Sequence, residues 1–200
     1  RFAATQGWRV RFEVADSIEG LLAGMAAGQA HIAAAGLTAS EERRRSLRFG
    51  PTYGQVKEWV ICGDQVKSPR SVDDLPGLRI EVVAGSSHAQ HLQTFKRRTP
   101  GLLWVEVEAP SSEELLERVD IGLADCTVSD SDSLDVARNF HPMLREAFVL
   151  ASAQPQAWLV ARGMSAKFSR HLATFFKKME QDRALAVLRE RYFGHVTRLN

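Results

Sequence analysis

The chain has 200 residues, 44% of them hydrophobic and 25% charged, with 26 Lys plus Arg against 24 Asp plus Glu and a formal net charge of +2. This is the composition of a folded globular chain and excludes disordered, collagen-like and low-complexity classes. The near balance of charge argues against a surface built for phosphate backbones, and the longest apolar run, Ile32 to Leu37, is far short of the roughly 20 residues that span a bilayer.

Arg1 to Gln6 followed by Gly7 reads as a helix tail closed by a left-handed glycine. A tail with no helix before it suggests a cut end, and the run from Val196 to Asn200 suggests a continuation. Trp8, Val10, Phe12 and Val14 alternate with Arg9, Arg11 and Glu13, which predicts a strand with one buried face. Ser17 caps a helix predicted from Ile18 to Gly28. His31 to Ala35 reads as an interior parallel strand, left through Gly36-Leu37-Thr38, and Ser40 begins a short charged helix. Lys57 to Cys62 is a strand, and Leu78 to Val83 is another that ends at Gly85-Ser86-Ser87. His88 to Lys96 is helical, with Leu92 and Phe95 inward. Leu102 to Val107 is a strand, and Ser111 with Glu114 offers a capping box for a helix to Val119. Ile121 to Ala124 is a strand ending at Asp125, followed by a helix from Ser129 to Arg138. Glu146 to Leu150 and Ala157 to Ala161 are strands, and Ser165 to Tyr192 holds two helices broken near Gln181-Asp182.

The alternation predicts an α/β fold with mostly parallel sheets. It lapses at Pro51 to Gly54 and around Ala153-Gln154-Pro155, which suits a chain that crosses between two lobes and returns. Residues 1–56 plus 157–200 are expected to form lobe 1, residues 57–150 lobe 2, and residues 151–156 the return crossing. Cys62 and Cys126 make neither a metal-like cluster nor a disulfide framework, and whether they are bonded is left open.

Three strand ends carry the candidate chemistry: Gly36-Leu37-Thr38 with Arg43, Gly85-Ser86-Ser87, and Asp125. Ligands of open α/β sheets bind at such ends and at the helix N-termini beside them. A guanidinium holds a carboxylate in two-pronged fashion, hydroxyls and free amides add donors, and a carboxylate opposite takes an ammonium. Together they ask for a zwitterion, an amino acid or a peptide end. Arg43-Arg44-Arg45 is otherwise a solvated helix face, of which only one member can enter a cleft, because neighbours on a helix point about 100° apart. Gly85-Ser86-Ser87 can equally be a turn with an N-cap, and Asp125 a cap residue.

Rival readings are weaker. Gly85-Ser86-Ser87-His88-Ala89 approaches a nucleophile elbow, with Asp125 and then His141 or His171 in hydrolase order, but Arg43 then has no task. Glu113, Glu114 and Glu117 sit on an ordinary charged helix rather than as a glycosidase pair. Lys177, Lys178, Arg183, Arg189 and Arg191 lie on helices whose apolar face includes Phe175, Phe176, Met179, Leu185 and Leu188, the pattern of a packed amphipathic pair rather than a nucleic-acid or membrane surface.

The run from Gly28 to Arg43 and the segment Arg48-Phe49-Gly50-Pro51-Thr52-Tyr53 resemble the family-3 periplasmic solute-binding proteins for polar amino acids. The resemblance covers nearly the whole chain and implies a periplasmic-binding-protein-like type II fold, with a ligand cleft between two lobes. The family's carboxylate-holding residues fall on Thr38 and Arg43, its Gly-Ser-Thr loop on Gly85, Ser86 and Ser87, and its Asp-x-x-x-x-Asp motif on Asp120 through Asp125. Gly36 is matched to a carbonyl acceptor for the ligand amino group. His31 stands where the family has Asp, Ser40 replaces Thr, and the family's first strand and aromatic clamp fall before residue 1. The end of the chain, Leu185 to Val196, resembles the junction in membrane-bound lytic murein transglycosylases, where a solute-binding-like domain precedes a lysozyme-like catalytic domain. That resemblance implies a periplasmic sensor for a small zwitterion, an amino acid or a peptidoglycan stem peptide, in a parent attached to the outer membrane. Its partner is the C-terminal catalytic domain of the same parent. No catalytic residue, cofactor, metal or nucleic acid is expected for this chain. The alternative is a free-standing receptor of an amino-acid ABC transporter.

Overall fold

A computed structural model describes residues 1–109 and 111–194. Helices α1 (Phe2–Thr5) and α2 (Ile18–Ala26) precede strand β1 (Ile32–Ala33) and helix α3 (Glu41–Ser46). Then come β2 (Phe49–Cys62), β3 (Ile80–Val83), α4 (Ser87–Lys96), β4 (Val105–Val107), α5 (Ser112–Asp120) and β5 (Cys126–Asp130). Helix α6 (Ser131–Ala137), β6 (Arg145–Val160), α7 (Ala166–Gln181) and α8 (Ala184–Phe193) complete the described order. His195 and Val196 of the junction motif, and the continuation to Asn200, lie outside the described residues.

Local chemistry sets the helix starts. Ser17, Ser40, Ser86 and Ser165 each stand at an N-cap with the side-chain oxygen accepting a backbone N–H three residues on. Ser111 makes no such bond, so the expected capping box is not formed.

The strands form a six-stranded sheet in the order β1-β6-β2-β5-β3-β4. Parallel pairing is confined to β3 with β4 and with β5, while β1–β6, β6–β2 and β2–β5 are antiparallel, so the sheet is mixed. Strand β1 pairs only with β6 and lies at the sheet's edge, which corrects its expected interior parallel place. The two expected breaks are spanned by continuous strand: β2 runs 14 residues and β6 runs 16. Between Val56–Gln154 and Glu58–Ala151 the β6 side carries one extra residue, and Ala153 there has a φ of 52°.

Two expected strands move. Residues 8–14 join no ladder, and Phe12 and Val14 are 88% and 92% exposed. Their alternation describes a strand, but among the described residues no strand pairs with it. Residues 121–124 form a turn around Gly122, and the strand begins at Cys126, five residues later than expected.

The apolar clusters fall at two ends of the long strands. At one end Val60, Leu75, Val82, Leu92 and Val128 pack together, with Ile61, Leu116, Val119 and Leu134 beside them. At the other, Phe2, Phe168, Leu172 and Phe176 form one cluster, and Met25, Leu37 and Leu159 another. Helix α7 presents Phe168, Leu172, Phe176 and Met179 inward, as its pattern predicts. Helix α8 buries no residue and is anchored by the ion pair of Arg189 with Asp132 of α6. At the first end a Cys62–Cys126 disulfide joins directly opposed positions of β2 and β5.

Candidate functional site

After β1 the chain turns at Gly36, whose φ of 63° glycine adopts without strain. Leu37 and Ala39 then stitch onto β6, through Ala157 N–H to the Leu37 carbonyl and Ala39 N–H to the Pro155 carbonyl. This fixes Thr38, which is buried, and aims α3 across the sheet end. Of the three consecutive arginines only Arg43 turns inward, and it is 7% exposed. Its guanidinium donates to the Thr38 carbonyl at 3.2 Å and to the Gly85 carbonyl at 2.8 Å. Burial lowers the Arg43 pKa, and the charges of Glu58, Glu42 and Asp130 counter that effect.

Gly85, two residues beyond β3, has a φ of 66°, which lets its carbonyl meet Arg43 while the chain enters α4. Ser86 caps α4 by accepting from Ala89 N–H, and Ser87 Oγ donates to Thr38 Oγ1 at 3.3 Å. The Gly36 carbonyl accepts from Gln156 Nε2 at 3.3 Å. The structure therefore brings Gly36, Thr38, Arg43, Ser86 and Ser87 to one place. A cavity of about 370 Å³ opens against Gly85, between Ile18 and Leu22 of α2 and Ala84, Glu108 and Ala109.

Asp125 is not brought there. It stands just before β5, where it accepts from Arg79 N–H at 2.7 Å and from the Arg79 guanidinium at 2.6 and 3.1 Å. The carboxylate at the other end of β5 is Asp130, roughly 16 Å further along at about 3.3 Å per strand residue. Asp130 Oδ1 lies 3.1 Å from His88 Nε2. The spacing Asp-x-x-x-x-Asp recurs from Asp125 to Asp130, and that second copy was the available signal.

Glu58 was missed as well. It is fully buried on β2, on the same face as Val56, Val60 and Cys62, so it is a carboxylate on the apolar side of a strand. That placement is visible in the period of two. Glu58 Oε2 meets His91 Nδ1 at 2.6 Å. Burial pushes the Glu58 carboxyl upward most strongly. The His91 hydrogen bond and the charges of His88 and His91 outweigh it, so the net shift is downward. For His88 burial again acts most strongly, downward, but the Asp130 hydrogen bond and the charges of Glu58 and Asp130 carry the net shift upward.

The hydrolase triad is not assembled. Ser87 bonds to Thr38, His141 to Asp120 and His171 to Gln6. Glu113, Glu114 and Glu117 lie exposed along α5.

Three comparisons bear on this geometry. The family model for bacterial extracellular solute-binding proteins, family 3, matches residues 1–195. The chain is 35% identical over 197 residues to a membrane-bound lytic murein transglycosylase F of Pseudomonas fluorescens, covering 98% of this chain and 40% of that protein. It is 42% identical over 157 residues to the protein of the same name from Maricaulis maris, covering 78% of this chain and 34% of that one. The chain thus spans about two fifths of the length of the first of these relatives and a third of the second. An ancestral arginine-binding protein bound to arginine superposes with a TM-score of 0.84 at 21% identity, over 96% of this chain and 84% of that one. The fold is periplasmic-binding-protein-like, and the chain belongs to the bacterial extracellular solute-binding proteins of family 3.

Proposed function

We propose that the chain is a ligand-sensing domain for a zwitterion, an amino acid or a muropeptide end, within a membrane-bound lytic murein transglycosylase whose catalytic domain follows it. The observation that carries this is the buried Arg43 fork beside Thr38, Ser86 and Ser87. A carboxylate entering there replaces two carbonyl acceptors with a charged one, and charge-assisted hydrogen bonds are the stronger kind. The Gly36 carbonyl and Asp130 are the acceptors for the ammonium, Asp130 taking the part first assigned to Asp125. The cavity against Gly85 is of a size to hold an amino-acid side chain.

Closure is by rotation of residues 57–150 against residues 1–56 and 157–200, about the strand crossings near Tyr53 and Pro155. In the parent, a ligand that favours the closed state alters the face offered to the catalytic domain, which is the allosteric input. The disulfide suits an oxidising compartment, in keeping with a periplasmic place and a parent held at the outer membrane. The second reading is a free-standing transport receptor, since an ancestral arginine-binding protein bound to arginine shares this fold. The gene sequence beyond Asn200 separates the two.

The test is a thermal-shift and calorimetric screen of free amino acids and the peptidoglycan stem tetrapeptide. At a hundredfold excess over the dissociation constant a ligand stabilises by about 2.7 kcal/mol. Arg43→Ala and Asp130→Asn are expected to lower affinity at least tenfold. Unchanged affinity in both overturns the assignment.

A further inference from the structure

Glu58, His88 and Asp130 each offer a ligand atom within 4.8 Å of the other two. They come from three elements, β2, α4 and the end of β5, so the cluster is a product of the fold and not of one loop. Glu58 is 0% exposed and His88 is 6% exposed. In each residue one polar atom is already engaged and the other has no hydrogen-bond partner. His91 holds Glu58 Oε2, leaving Oε1, and Asp130 holds His88 Nε2, leaving Nδ1. A buried polar atom left without a partner is costly, so Glu58 Oε1 asks for one.

A ligating carboxylate is itself hydrogen-bonded, as Glu58 is by His91. His88 Nε2 and Asp130 Oδ1, 3.1 Å apart, can hold one ion between them once the intervening proton leaves, and Glu58 Oε1 is free to join them. His88 and His91 lie three residues apart on α4, hence on one helix face.

We propose that Glu58, His88 and Asp130 form a binding site for a divalent transition-metal ion, zinc by preference, with His91 positioning Glu58. Imidazole with carboxylate suits zinc among the common divalent ions. The site shares Asp130 with the ammonium position proposed above, so zinc and an amino-acid ligand exclude one another there, and the titration without amino acid tests the metal alone. It departs from the sequence, in which no metal was expected. Because Cys62 and Cys126 are bonded to each other, thiolate binding does not confuse the assay.

The experiment uses tag-free, metal-stripped protein titrated with zinc chloride by calorimetry and with cobalt chloride by visible absorption. One equivalent is expected to bind, with a chelator-reversible rise in melting temperature and four-coordinate cobalt bands. Glu58→Gln and His88→Gln are each expected to weaken zinc at least tenfold, and His91→Gln to weaken it less. Two results overturn the proposal: no binding by the wild-type chain, which leaves a protonated His88 bridging the carboxylates, or equal binding by both variants. Should those variants fail to fold, the histidine ring resonances of the wild type decide. Zinc must move those of His88, and a shift confined to His31, His141 or His171 overturns the site.

Discussion

Arg189 on α8 forms a two-pronged ion pair with Asp132 on α6, and the two helices pack into different apolar clusters. The Asp132 side chain is 9% exposed and that of Arg189 is 44% exposed. The two truncations are therefore unequal. Arg189→Ala leaves a nearly buried carboxylate unpaired and is expected to cost about 1–3 kcal/mol. Asp132→Ala leaves an arginine that water can solvate and is expected to cost about 1 kcal/mol or less. Urea melts of both variants check the order, and equal losses refute it.

Asp125 is predicted to serve stability and not ligand binding. The Arg79 hydrogen bond holds its carboxyl below the usual carboxylate range, against the opposing pull of burial. A depressed pKa in the folded state stabilises above the unfolded value of about 3.9 and is lost as pH falls through the folded value. Asp125→Asn is therefore expected to melt below the wild type at pH 7, with the gap closing below about pH 4. Ligand affinity is expected to be unchanged.

Ala153 sits exposed in the β6 bulge with a φ of 52°. The left-handed conformation costs a non-glycine residue about 1–2 kcal/mol, and glycine costs about 0.5–1 kcal/mol more than alanine to order. Ala153→Gly is thus expected to gain about 0.5 kcal/mol, and Ala153→Val, which is β-branched, to lose stability. Differential scanning calorimetry reads both.

Reduction of Cys62–Cys126 opens a loop with a sequence separation of 64. The chain-entropy relation assigns such a loop about 4 kcal/mol. The midpoint in urea is expected to fall under a reductant. An unmoved midpoint shows that the packing of β2 on β5 carries that stability without the bond.

Much of the site was legible because its makers are local. A serine at the starts of α3 and α4, a glycine after β1 and after β3, and an arginine three residues after Ser40 are all readable without a partner. The slip at β5 has a physical origin. Ile121, Leu123 and Ala124 look like strand residues, while the real strand buries Thr127 and Ser129, which pattern reading scores as loop. Ser129 is matched across the fold to Ser112, and a linear pattern does not contain such a partner. Glu58 and His88 escaped for the same reason, since their meaning lies in what faces them. Residues 8–14 show the converse case, a correct alternation with no ladder to join.

The disulfide also has a mechanical consequence. The ring it closes contains β3, α4, β4 and α5, so it takes in Gly85, Ser86 and His88 together. When the chain is drawn out from its two ends, tension bypasses everything between Cys62 and Cys126. At about 3.3 Å of extension per residue, roughly 210 Å of contour stays hidden until the sulfurs part. A load applied across the two ends runs through β2, β5 and β6, and α4 is shielded from it.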